Sequence, residues 1–161
     1  MNENEIKKII LEHCNKLMQN GRFSLEKTFI QHGSNSVYDH SLNVAYLSSK
    51  IALKIKSKID LHKLINGALL HDYFLYDWHI HKSIPFTHGF THPFTALKNA
   101  KSDFVLTRTE EDIIKHHMFP LVPFPPHTKE GFIVCLADKI CAVFETFNFR
   151  FLRKYAFNCV V

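Results

Sequence analysis

Glycine and proline are scarce, 5 and 6 of 161 residues, which excludes collagen-like and low-complexity chains, where these two residues dominate. Cysteine is rarer still. The four, Cys14, Cys135, Cys141 and Cys159, include no C-x-x-C pair, so neither a zinc ribbon nor a disulfide scaffold is expected. Three of them fall on apolar helical patterns, as buried free thiols do in a reducing compartment. No apolar run approaches the roughly 20 residues of a membrane span. The opening Met-Asn-Glu-Asn-Glu-Ile-Lys-Lys has neither the basic start nor the apolar centre of a secretory signal. A soluble cytoplasmic protein without membrane partners is the expectation. Runs of like charge are also missing. The formal net charge of +5 leaves room for an acidic partner, but the lysines are scattered, which argues for solvated helix faces over a nucleic-acid-binding stripe. With no internal repeat and no linker, one domain is expected over residues 1–161.

What the chain does have is 46% hydrophobic and 22% charged residues, enough to fold, and 12 histidines beside 15 phenylalanines. A histidine excess in a folding sequence raises metal binding as a question. Helical periodicity places the candidates. Ile6, Ile10, Cys14 and Leu17 form a first stripe that stops at Asn20-Gly21. A second helix is predicted from about Val37 to Lys58, whose stripe of Val44, Leu47 and Ile51 extends back to His40. A third starts at the N-cap Asp60 and carries Leu61, Leu64, Ile65, Ala68 and Leu69 into His71-Asp72. Tyr73 to Phe90 reads as a long loop with at most a short helix. Thr91-His92-Pro93 reads as the start of a fourth helix with Phe94, Leu97 and Ala100 inward. The capping box Thr107-x-x-Glu110, with Thr109 as a competing cap, starts a fifth through Ile113, Ile114 and His117. Gly131 to Phe151 is apolar almost all round in its first half, as expected of a central buried helix, with Asp138 in its middle. Nothing alternates with period two for long, so the fold class is all-α, a compact helical bundle.

His40, His71, Asp72, His92, His117 and Asp138 are thus all directed to the interior. Buried carboxylates are costly alone, so these groups either pair with one another and with basic side chains or bind a cation. Imidazole with carboxylate suits Zn, Fe, Mn, Co or Ni, and two such ions fit if one carboxylate bridges. Within the pair His116-His117, the second shares a face with both Ile113 and Ile114 and is the better ligand; His116 is kept as a candidate ligand at the edge of the site or a substrate contact.

The ordered set His40, His71-Asp72, His92, His116-His117, Asp138 resembles the H…HD…H…H…D pattern of the HD-domain superfamily of metal-dependent phosphohydrolases, over about residues 31–145. The resemblance implies a helical HD fold and two divalent transition-metal ions. The first would be held by His40, His71, Asp72 and Asp138, with Asp72 bridging to a second on His92 and a histidine of the 116–117 pair. Departures narrow it. Met118-Phe119-Pro120 follows His117 where cyclic-di-GMP phosphodiesterases have Gly-Tyr-Pro. Ser36 stands where trinuclear relatives have an acidic residue. Phe74 replaces a frequent glycine, and Leu75 replaces the glutamate of the single-metal nucleotidases, with Asp77 close enough to substitute.

The activity implied is attack of a metal-activated water on a small phosphoester, a nucleotide among the candidates. Asp72, Lys139 and Asp77 are the catalytic candidates: Lys139 for phosphate, with Lys115 and Lys82 as alternatives, and Asp77 for proton donation, with His32 and His88. His79, His81 and His88 read as loop histidines, and His13, His62 and His127 as surface ones. Trp78, Phe86 and Phe124 are the aromatics available to stack on a base. A di-iron oxygenase of the same superfamily and a non-catalytic metal-containing binding module are the competing readings.

Overall fold

The computed structural model describes residues 1–32, 35–55, 57–78 and 84–146. Its first helix, α1 (Glu3–Asn20), begins with a reciprocal cap: Asn2 Oδ1 accepts from the Glu5 amide and Glu5 accepts from the Asn2 amide, each at 2.9 Å. These bonds satisfy amide donors that a helix start otherwise leaves unpaired. A 3₁₀ turn (Phe23–Thr28) and a small antiparallel hairpin, β1 (Ile30–His32) with β2 (Asn35–Ser36), follow. So short a strand pair leaves no alternating pattern to read, and the sequence does not announce it.

Ser36 caps α2 (Val37–Lys54) through a second box with Asp39. The helix stops four residues short of the expected Lys58, at an extended Ile55. The stripe has run out there: Ile55 is 42% exposed, so a further turn would bury nothing. Asp60 caps α3 (Leu61–Leu70), accepting from the Lys63 amide at 3.2 Å. Thr107, not Thr109, caps α5 (Arg108–His116).

The largest correction concerns α4, which runs from Ile84 to Asp103. The last seven residues of the expected loop, 84–90, are therefore helix, and Thr91 is an interior residue. Pro93, read as a helix opener, lies inside α4, where it removes one backbone bond. The inward face runs through His88, His92, Ala96 and Ala100, all buried, and this register leaves Phe94 46% exposed. The last helix, α6 (Lys129–Thr146), starts two residues earlier than predicted, because Thr128 Oγ1 accepts from the Gly131 amide at 3.0 Å. Its predicted end at Phe151 lies outside the described residues. Nor is α6 buried all round: Phe132 and Leu136 are about half exposed. The central place belongs to α2, which packs on α3 and α6, while α5 packs on α3, α4 and α6.

The core joins Ile6, Ile10, Val44, Leu64, Leu69 and Ile113 with their neighbours. Cys14, Cys135 and Cys141 are buried free thiols. No helix among the described residues is long and apolar enough to cross a membrane. Gly67 sets the approach of α3 to α5: a Cβ there would lie 2.5 Å from Ile113 Cδ1 and 3.1 Å from Ile113 Cβ and Cγ2. Gly67→Ala is expected to destabilise the fold by about 1–3 kcal/mol through overpacking, seen as a lower urea midpoint at unchanged slope.

Candidate metal centre

Five elements meet at one buried point. His40 comes from α2, His71 and Asp72 from the turn that ends α3, His92 from α4, His117 from the end of α5 and Asp138 from α6. None is more than 7% exposed. The turn after α3 is sharp: the Phe74 amide donates to Asp72 O at 2.7 Å and Leu75 adopts φ 57°. Asn99 Nδ2 of α4 donates to the carbonyls of Tyr73 and Phe74 at 3.1 and 3.0 Å, which locks that turn.

Each of the four imidazoles is anchored through Nδ1. His71 Nδ1 meets Ala68 O at 2.7 Å, His92 Nδ1 meets His88 O at 2.8 Å, and His117 Nδ1 meets Ile114 O at 2.8 Å. His40 Nδ1 meets Glu145 Oε2, also at 2.8 Å. A carbonyl only accepts, so at least the first three rings carry their proton on Nδ1 and, when neutral, present a bare Nε2 lone pair. The helix ends contribute directly: carbonyls of the last turns of α3 and α5, which a helix leaves short of amide partners, receive the His71 and His117 protons.

The Nε2 atoms converge on the two carboxylates. On one side, His40 Nε2 is 3.1 Å from Asp138 Oδ1, and His71 Nε2 is 3.4 Å from Asp72 Oδ2 and 3.7 Å from Asp138 Oδ1. On the other, His92 and His117 Nε2 lie 3.2 and 3.5 Å from Asp72 Oδ1 and 2.8 Å from each other. Two lone pairs at that separation repel unless a proton or a cation sits with them. His71 Nε2 and Asp72 Oδ1 are buried and make no hydrogen bond, although acceptors and donors crowd around them. Hard oxygen and borderline nitrogen donors converging in this way are what a divalent metal requires. His40, His71 and Asp72 can share an ion, as can His71, His117 and Asp138, or Asp72, His92 and His117: within each trio the ligand atoms lie within 4.8 Å.

Protonation equilibria reflect the same crowding. Burial works against a charged His40, but its bonds to Asp138 and Glu145 prevail and raise its pKa to about 9. His71 is likewise raised, against burial, by Asp72 and Asp138. Burial lowers His117 to about 4, with His71 and His92 nearby adding to the effect. Asp72 and Asp138, despite burial, are held well below the usual carboxylate range by the facing histidines.

Several members of the site have no sequence signature. Gln31 of the hairpin donates to Asp72 Oδ2 at 2.5 Å. Glu145 also accepts from Asn43 Nδ2 at 2.9 Å. Glu26, fully buried without a hydrogen bond to its carboxyl oxygens, is pushed up toward the neutral acid chiefly by burial. The expected residues divide. His116 does not join the cluster; its Nδ1 bonds Asp112 Oδ1 at 2.8 Å, because on α5 it lies a helical step away from the side on which His117 sits. Lys139 Nζ donates to His117 O at 2.6 Å and lies 3.7 Å from Asp138 Oδ2. Asp77 is half-buried beyond the turn and belongs to none of the metal-competent groups among the described residues. His88 is buried: its ring stacks on His92 at 4.5 Å and on Trp78 at 4.8 Å, and its Nδ1 meets the Tyr76 hydroxyl at 2.9 Å. Trp78 is thus engaged by a histidine of the site. His13 is half-buried against Asn66 and His62, whereas His62, Phe124, Lys115 and His127 are exposed. His79, His81 and Lys82 lie outside the described residues, as do the side chains of His32 and Phe86.

The metal-free protein should carry a histidine-dependent acid limb. His117 titrates near 6.5 when unfolded and near 4 when folded, so between these values the unfolded chain binds the extra proton. Its contribution to stability is complete above about pH 6.5 and is lost as pH falls toward 4, at up to about 1.4 kcal/mol per pH unit. Urea unfolding of chelator-treated protein across pH 4–7 should show this slope, and His117→Asn should reduce it by about one proton.

Neither the curated proteins nor the solved structures compared with the chain include a match. The family model for the HD domain, by contrast, matches residues 37–143, a span that starts at the first residue of α2, closes three residues before the end of α6 and encloses all six converging side chains. The chain therefore belongs to the HD domain family.

Proposed function

We propose that the protein is a metal-dependent phosphohydrolase that cleaves a small phosphoester, a nucleotide being the favoured class, with two divalent transition-metal ions. One ion would be held by His40, His71, Asp72 and Asp138, the other by Asp72, His92 and His117. The observation that carries this reading is the division of Asp72: Oδ2 faces His71 at 3.4 Å and Oδ1 faces His92 at 3.2 Å, which is how a carboxylate is placed when it bridges. Bound divalent ions acidify a coordinated water and offset charge on phosphoryl oxygens.

The chain's own residues supply the rest. The Nδ1 anchors set the tautomer, so that each ring in its neutral form presents Nε2 toward the ions, and Gln31 fixes the orientation of the Asp72 carboxylate. Lys139, 38% exposed on its side chain, resting on the His117 carbonyl and 3.7 Å from Asp138 Oδ2, would turn outward to a phosphate oxygen. Asp77, on the segment leaving the HD turn, is the proposed donor of a proton to the leaving group. Buried free thiols at Cys14, Cys135 and Cys141 fit a cytoplasmic setting.

Protein purified without chelator should contain transition metal and should release inorganic phosphate from a panel of nucleotides and generic phosphoesters with Mn²⁺ or Co²⁺. Asp72→Ala should lose most of the metal and at least about a thousandfold in kcat. Lys139→Ala should raise KM about tenfold at unchanged metal content. Iron content with oxygen uptake and no phosphate release would replace this reading by an oxygenase; saturated zinc with no turnover would replace it by a binding module.

A further inference from the structure

A second convergence of metal-ligating groups lies outside the centre. Asp112 and His116 stand one helical turn apart on α5, and His127 comes from the segment just before α6. The three offer ligand atoms that all lie within 4.8 Å of one another. His116 Nδ1 and His127 Nδ1 approach the same oxygen, Asp112 Oδ1, at 2.8 and 3.0 Å. Two ligands about 2.1 Å from a metal are separated by about 3.0 Å at a right angle and about 3.4 Å at the tetrahedral angle, given ordinary Zn–N and Zn–O bond lengths, so both Nδ1–Oδ1 separations are close to those of ligands sharing an ion.

The two carboxylate oxygens have different surroundings. Oδ2 accepts from Thr128 Oγ1 at 2.6 Å, from the Thr128 amide at 2.9 Å and from the His127 amide at 3.0 Å. Those bonds fix the carboxylate as part of the turn that starts α6. Oδ1 faces both imidazoles and shares the bifurcated His127 amide with Oδ2, at 3.1 Å. A single cation in place of the two ring protons leaves every bond to Oδ2 intact. Burial separates the partners: Asp112 and His116 are 8% and 7% exposed, while the His127 side chain is 74% exposed. An exposed ring gains little from packing, yet this one is held through Nδ1 and packs edge-on against His116 at 5.0 Å.

We infer that Asp112, His116 and His127 form a peripheral site for a divalent transition metal, a two-histidine, one-carboxylate set with its remaining positions open to water. It shares no ligand with the central cluster and holds whichever reaction that cluster performs. Nitrogen-rich ligation favours Zn²⁺, Co²⁺, Ni²⁺ or Cu²⁺ over Mg²⁺ or Ca²⁺.

Zn²⁺ titration of chelator-treated protein tests it, followed by metal analysis after desalting. His127→Ala removes an exposed side chain and should fold like the parent. It should bind one Zn²⁺ fewer, or bind that ion at least tenfold more weakly, while the remaining stoichiometry is unchanged. In Asp72→Ala, where the central cluster is broken, Zn²⁺ should still shift the ¹⁵N resonances of the His116 and His127 rings at Nδ1. Equal stoichiometry and affinity in His127→Ala and the parent, or unshifted Nδ1 resonances, would overturn the inference without touching the central site.

Discussion

The structure depends on how its buried imidazoles are tethered. A histidine ring becomes a ligand only when one nitrogen is free of its proton and aimed; holding Nδ1, on the far side of the ring from Asp72 and Asp138, aims the ring and leaves Nε2 as the nitrogen a neutral imidazole offers. Ala68, His88 and Ile114 accept through their carbonyls, Glu145 through its side chain. Because two of those carbonyls belong to the last turns of α3 and α5, the helix lengths themselves determine where the rings stand.

That requirement explains why α3 is short and why the chain turns so abruptly after Leu70. His71 and Asp72 are neighbours in sequence, and neighbours on a helix point about 100° apart. Leaving the helix at His71 lets both face the same point. The strain of a left-handed Leu75 follows from the same manoeuvre, and Asn99 holds it from α4. The centre in turn depends on the bundle: without cations, two aspartates and four histidines in a dry interior are a liability to stability, and the apolar core around Ile10, Leu64 and Ile113 must offset it.

Much of this was legible beforehand because the two signals involved are short-range. The period of 3.6 put His40, Asp72 and Asp138 on buried faces, and the order of histidines and aspartates carried the family resemblance. The errors have physical sources as well. Pro93 imitates a helix start because it fits a first turn best, yet the repeat His88, His92, Ala96, Ala100 was already helical upstream of it. His116 and His117 both lie near the apolar face, and only the position of Asp112, four residues back, shows which way His116 turns. Gln31, Glu26 and Glu145 reach the site from a hairpin, a 3₁₀ turn and the last turn of α6. Residues recruited by tertiary proximity leave no periodic trace.

The stack of Trp78 on His88 on His92 gives the molecule an intrinsic optical reporter. The chain has a single tryptophan, so its emission arises from one indole, two aromatic planes from a ligand nitrogen of the centre. Imidazolium quenches indole fluorescence and neutral imidazole does so far less, and the His88 ring lies stacked between the indole and His92. Loading the proposed centre with an ion that has no colour of its own, such as zinc, should therefore register in the emission of unlabelled protein under ultraviolet excitation.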